Sequence, residues 1–396
     1  MEARRLPFNI EGAKLTHISN PPSRVCVIGG GIIGSFIAYR LSLEGVSVTL
    51  FERDRLGSGA SGASAGNVQI LADGFEGFHI DLGTESLALY RKYLPSIKGE
   101  TKTDPLDHEV RYLFAAKDED KAIEFRRSAS NLARRGLKVE WLDGHSAREL
   151  EPRLNPGLLG GILHSDCVQM DAGRLVSALA RSAQLRGAYV AGSEVVGLER
   201  EGGRVVGVRL KEGTVIDCDA VVLAMGAWTG AALFNWLNIV LPIKPLGLQK
   251  IHLLTGDNPL NCAVRSSVNI VSRRDGMTHV GSKQEPSGFD VLPTEEGKRW
   301  LIEQVNDVLP GLNVNVAEAW AGCAVRTPEA VPILGPIDEL EGLYVAAPSA
   351  NGFLLAAVMA EILANYLLKG EEHSFWNEMS ASAAIKRATN NPEWDR

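Results

Sequence analysis

The run Arg24-Val-Cys-Val-Ile-Gly-Gly-Gly-Ile-Ile-Gly-Ser-Phe constrains this chain more than any other stretch. Its apolar start reads as a buried strand and its glycines as a tight turn. A helix opens at Ile32 and Ile33 and runs to Glu44, where Gly45 stops it. Gly29, Gly31 and Gly34 keep the G-x-G-x-x-G spacing. Glu52 closes the next apolar run, Val46 to Phe51, about 20 residues on. Each part has a physical task. Gly29 permits the turn, and Gly31 lets backbone approach a pyrophosphate seated on the positive helix end. Gly34 lets that helix pack close to the sheet, and the Glu52 carboxylate accepts both ribose hydroxyls. Together they read as a dinucleotide site, with neighbouring Arg53 among its contacts. A carboxylate at position 52 repels a 2′-phosphate, which argues against NADP.

A chain of 396 residues is long enough for two substantial domains. The formal net charge is −7 and no long basic run occurs, so nucleic acid is not expected as a partner. Cys26, Cys167, Cys218, Cys262 and Cys323 are scattered, with no C-x-x-C. That pattern suits reduced thiols in a cytoplasmic protein and excludes a metal site of ordinary spacing. Residues 1–23 lack an apolar core and read as a loose arm, not a secretory signal. Ala220 to Ile243 is nearly all apolar, but Gly226, Gly230 and Pro242 break it into a strand, a turn and a short helix.

Further on, Gly57 to Asn67 is glycine and small hydroxyl residues, including Ser61, Ser64, Ala65 and Gly66. Small side chains let backbone amides reach a phosphate or a flat ring, so the segment reads as a cradle. Helices are expected at 81–93, 119–135 and 294–309, and strands at 111–116, 160–164, 250–254 and 277–282. Asp171 caps a helix, and a small β-meander occupies residues 190–222. At the end, Gly342 to Ala347 reads as a strand and Phe353 to Leu368 as a helix opened by Asn351-Gly352.

Four segments in this order resemble the FAD-dependent amino-acid and amine oxidoreductases of the D-amino-acid oxidase superfamily. They are Val25 to Glu52, Gly57 to Asn67, Gln169 through Trp228, and Trp320-Ala-Gly through Leu355. The resemblance implies an α/β architecture. A Rossmann-like FAD domain is assembled from residues 24–80, 150–235 and 320–370. A mixed-sheet α+β substrate domain comes from 81–149 and 236–319, and 371–396 is an extension. It further implies non-covalent FAD, with Val195 on the adenine side and Gly226 and Trp228 near pyrophosphate and flavin. Asn351, Gly352, Phe353 and Leu354 would lie at the pyrimidine end. There the free amides of a helix start face the flavin edge where charge accumulates on reduction.

The implied reaction removes a hydride from the carbon beside an amine nitrogen and leaves an imine that hydrolyses. Oxygen, a quinone or a partner flavoprotein is the electron acceptor, and homo- or hetero-oligomers stay open. The chain departs from the family at the carboxylate clamp. Ala324 and Ala350 stand where many members carry arginine. Arg326 lies two residues beyond, about 7 Å along a strand, either reaching a shifted carboxylate or lying on a solvated surface. A larger or secondary amine is therefore expected rather than a small amino acid held by two arginines. Tyr112, His164, Lys250 and His252 are the other polar candidates near the expected pocket, each weighed against a structural or surface role, with Tyr112 and His252 kept as substrate-contact candidates. Cys323 raises covalent flavin attachment, although its spacing to Thr327 argues against it. Two alternatives remain: an NAD-linked dehydrogenase, and a flavin-bearing subunit with little activity alone.

Overall fold

The computed structural model describes residues 21–286, 288–349, 351–391 and 394. The expected arm, 1–23, lies almost wholly outside them. Six strands form the first sheet, in the order Ile333–Pro336, Leu343–Ala347, Ala220–Leu223, Arg24–Ile28, Ser47–Phe51 and Tyr189–Ala191. All neighbours pair parallel except the edge strand Ile333–Pro336. Parallel strands are covered on both faces, which is why they read as unbroken apolar runs. Val25 and Val27 face one core with the helices Ile32–Leu43, Ala172–Leu185 and Gly352–Lys369. Cys26 and Ile28 face a second core, closed by Val205 and Val208 of the meander. As expected, Asp171 caps its helix, accepting from the Arg174 N–H at 2.8 Å.

Gly352–Lys369 is long and apolar enough to cross a membrane, yet most of it is buried within the protein. The apolar stretch 220–243 resolves into the strand Ala220–Leu223 and the helix Trp228–Leu237. The helix Phe78–Thr101 outruns its expected end at Tyr93. Pro95 signals a stop, but Leu94 and Ile97 pack in the core and carry the helix through it.

A second, nine-stranded sheet runs Val316–Arg326, Lys244–Leu254, Met277–Pro286, Asn269–Ser272, Ala263–Arg265, His108–Ala116, Gly160–Gln169 and Asn67–Val68. Val139–Asp143 also pairs with Gly160–Gln169. Three of these strands, Asn67–Val68, Gly160–Gln169 and the greater part of Val316–Arg326, draw on chain segments expected for the FAD domain. Leu113, Val264, Ile270, Val280, Ile251 and Leu253 point back onto Leu301, Val305 and Val308 of the helix Glu295–Val308. Side chains alternate along a strand. Tyr112, Arg265, Asn269, His279 and Lys250 therefore share the opposite, front face, which turns toward the first sheet and its loops. The chain thus joins a Rossmann-like domain built on a mostly parallel sheet to a domain built on a mixed sheet.

Candidate active site

Between the two sheets lies a cleft of about 980 Å³. At one end it receives the glycine turn. Gly29, Gly31, Ile32 and Ile33 line it, and Gly57 donates its N–H to the Gly30 carbonyl at 2.9 Å, tying the cradle to the turn. Ser61 Oγ accepts from the Ile32 N–H at 2.9 Å. The Glu52 carboxylate is held at the same turn, accepting from the Gly30 and Asp54 N–H groups at 2.8 and 2.9 Å. Gly34 and Gly66 do not line the cleft but shape it. A Cβ at Gly34 would stand 2.0 Å from the Gly29 carbonyl oxygen, and one at Gly66 1.8 Å from that of Met170.

The cradle is fastened to the second sheet as well. Gln169 Nε2 donates to the Ala65 carbonyl at 3.0 Å. Lys250 Nζ and, at 3.4 Å, Trp320 Nε1 both donate to the Ala63 carbonyl. Ser64 Oγ accepts from the Gly66 N–H at 3.1 Å. Ser61, Ser64, Ala65 and Asn67 thus line the cleft along its length.

Glu52, Arg53, Val195, Gly226 and Trp228 gather at the end of the glycine turn, with the Arg53 guanidinium 4.9 Å from the Trp228 ring centroid. Asn351, Gly352, Phe353 and Leu354 bring the start of the helix Gly352–Lys369 to the cleft. That first turn carries no acidic side chain, so its positive end faces the cleft uncompensated. Asn351 Nδ2 and Ser349 Oγ are buried there without a hydrogen-bond partner. Two orphaned polar groups, a helix N-terminus and an acid-bearing glycine turn suit an elongated ligand with an adenosine at one end and a polar ring edge at the other. FAD is such a ligand, and these residues fit it.

Tyr112, Leu248, Lys250, Arg265, Asn269 and His279 line the remaining part of the cleft, on the front face of the second sheet. Arg265 Nη1 donates to Asn269 Oδ1 at 3.0 Å. Burial lowers the Lys250 amine from its ordinary value to about 8. Burial first, then the neighbouring cations beginning with Lys250, pushes the His279 imidazole well below its usual range, so it is neutral. Burial raises the Tyr112 phenol, while Arg265 pulls the other way. Among the described residues, every carboxylate lining the cleft, Glu52, Asp54 and Glu194, belongs to the glycine-turn end.

The structure separates the three substrate-contact candidates. Tyr112 lines the cleft, and His252 and Arg326 do not. His252 Nδ1 meets Glu318 at 2.6 Å, and its ring centroid lies 4.0 Å from that of Trp320. Of the two readings of Arg326, a partner for a shifted carboxylate or a residue on a solvated surface, its placement matches the second. It ends its strand, exposed, with its guanidinium 5.3 Å from the Trp394 ring centroid. Trp394, 68 residues later, offers an aromatic face that strand alternation does not foretell. Position 324 is a buried alanine beside the cleft, and Ala350 lies outside the described residues. Cys323 lines the cleft with its thiol pKa raised by burial. His164 is buried away from the cleft against the Cys167 thiol. Arg265 and His279 went unseen in the sequence. For His279 the signal was alternation with Val280 in the strand Met277–Pro286; the three-residue strand of Arg265 offered none.

The FAD dependent oxidoreductase family matches residues 24–366. The chain is 32% identical to the glycine oxidase of Pseudomonas aeruginosa, across 88% of this chain and 95% of that protein. It is 26% identical to the hydrogen cyanide synthase subunit HcnC of Pseudomonas protegens, across 88% and 92%. The crystal structure of glycine oxidase from Geobacillus kaustophilus superposes with a TM-score of 0.84 at 27% identity, covering 91% of this chain and 98% of that one. Nothing in these likenesses favours an NAD-linked dehydrogenase. The cleft and its relatives agree: this chain belongs to the FAD dependent oxidoreductase family and is an FAD-dependent amine or amino-acid oxidase or dehydrogenase.

Proposed function

We propose that the enzyme oxidises the carbon–nitrogen bond of an amino acid or secondary amine, giving an imine that water cleaves to a carbonyl and an amine or ammonia. Bound FAD supplies a two-electron acceptor for the hydride that leaves the carbon next to nitrogen. The chain's own residues do the rest. The front face of the second sheet closes over the cleft and screens the reacting carbon from water. Lys250 and Arg265 set a positive field there, and nearby cations disfavour a charged ammonium. The substrate nitrogen is thereby held neutral, with the lone pair that becomes the C=N bond. Neutral His279 adds no carboxylate-like base and no further charge.

One observation carries this reading. A cleft built for a long dinucleotide ends in a pocket that, among the described residues, has cations and no carboxylate. The experiment is anaerobic titration of the purified yellow protein with D-amino acids, N-methyl amino acids, cyclic imino acids and opines. Bleaching of the flavin band by at least one class is the expected result. A flavin that stays oxidised against all of them overturns the reading.

The similarity to HcnC, itself a subunit by its name, favours a second reading, a flavin-bearing subunit of a larger oxidoreductase. Bleaching by substrate without reoxidation by oxygen, and turnover only with an added partner, distinguishes it.

A further inference from the structure

We infer that Arg265 supplies the cation that grips the substrate carboxylate, with the Tyr112 hydroxyl as a second donor. The amine this enzyme oxidises is then an anionic one. The inference rests on the amine-oxidation reading and adds its substrate class.

The argument begins with the three-residue strand Ala263–Arg265. Val264 packs in the rear core, so Ala263 and Arg265 share the front face, where Ala263 is buried and Arg265 lines the cleft. Arg265 pairs with Asn269 on one side and Phe114 on the other, and Ala263 pairs with Tyr112. Arg265 and Tyr112 therefore stand on neighbouring strands of one face, two residues apart in register. Coupling between them is felt in the phenol, which Arg265 draws downward against the effect of burial. Asn269 Oδ1 holds one edge of the guanidinium at 3.0 Å and so fixes the plane of the fork. Five N–H donors let one guanidinium hold an amide and a carboxylate together. The Tyr112 hydroxyl is buried, and no acceptor or donor meets it in good hydrogen-bond geometry.

The surroundings select an anion. The strand Val316–Arg326 presents Ala324 to the cleft and turns Arg326 onto Trp394. The other arginines of the lining, Arg53 and Arg55, follow Glu52 at the glycine-turn end. Lys250 is committed to the Ala63 carbonyl. Arg265 is half-buried, which strengthens a charge-assisted bond relative to one in open water.

The test uses the FAD-loaded enzyme and a carboxylate that cannot be oxidised at nitrogen. Methoxyacetate is titrated and read by perturbation of the flavin spectrum, with neutral methoxyacetamide as control. The wild type is expected to bind methoxyacetate and to discriminate against the amide. Arg265→Met is expected to weaken methoxyacetate by roughly 30- to 1000-fold and to leave the amide and the flavin content unchanged. Tyr112→Phe is expected to weaken it about 10-fold. Equal affinity of wild type and Arg265→Met for methoxyacetate overturns the inference, as does a wild type that binds the amide as tightly as the acid. If Arg265→Met does not yield loaded protein, Arg265→Gln is read by the same criteria. Failure of the wider reading looks different: no amine of any kind bleaches the flavin, whatever methoxyacetate does.

Discussion

Lys250 Nζ donates to the Ala63 carbonyl, so a buried ammonium on the second sheet holds the loop that cradles the cofactor. Trp320 Nε1 shares that acceptor at 3.4 Å. The strand pair that carries both residues, with Lys250 opposite Trp320, is thereby fastened to the loop between the strands Ser47–Phe51 and Asn67–Val68.

Burial of that ammonium makes stability depend on alkaline pH. The Lys250 pKa falls from 10.5 unfolded to about 8 folded, through burial. Between those values the unfolded chain binds more protons, so stability rises with pH from about 8 to 10.5, by about 3 kcal/mol. Urea unfolding of the wild type across this range should show the rise. In Lys250→Met that part of the slope should vanish, and an unchanged slope would remove Lys250 as its source.

The acid limb has a parallel origin. Burial holds the His164 imidazole at about 4 against an ordinary 6.5. The unfolded state takes up the proton first as pH falls. Stability is therefore intact above about 6.5, declines below it, and is lower by about 3 kcal/mol once pH passes 4. His279 acts in the same direction. Replacing His164 by Leu should flatten the decline between pH 6.5 and 4 in denaturant titrations, whatever it does to stability at neutral pH.

Gly34→Ala tests the glycine turn. The added methyl would stand 2.0 Å from the Gly29 carbonyl oxygen, and backbone must move to admit it. A loss of about 1–3 kcal/mol is expected, with the turn displaced from the nucleotide. The measurement is flavin content after purification, and a fully loaded, normally stable variant would contradict the close approach.

Arg326→Ala should leave methoxyacetate affinity within about twofold of wild type, because the guanidinium lies over Trp394 and outside the cleft. Its cost is in stability, about 0.5–1 kcal/mol for the lost cation–π contact. Thermal unfolding beside the anion titration separates the two. A large loss of anion affinity would return Arg326 to the site.

The half of the cleft that binds nucleotide was legible because it is local. Arg24 to Glu52 encodes strand, turn, helix and acid within one β-α-β unit, and backbone geometry follows directly from its glycines. Asn351-Gly352 was legible for the same reason, as a helix start. The substrate half is assembled differently. Arg265 sits on a strand of three residues, too short for any periodicity to be read. Asn269 and His279 follow on the next two strands, but Tyr112 comes from the far earlier strand His108–Ala116, and its parallel pairing with Ala263–Arg265 is not written in local sequence. Arg326 was left between two readings, a carboxylate partner or a solvated surface, and alternation could not choose between them. The alternation argument concerns direction within a strand and is blind to a tryptophan arriving from the far end of the polypeptide.

The front row of the second sheet is made of every second residue, with Val264, Ile270 and Val280 interleaved behind it. Sliding any one of these strands by a single position would exchange the rows, sending a guanidinium or imidazole into oil and a valine into the cleft. Inherited insertions and deletions at these places should therefore be tolerated only in multiples of two or out in the connecting turns. New substrate preferences in this lineage would have to arise by swapping side chains on a frozen lattice.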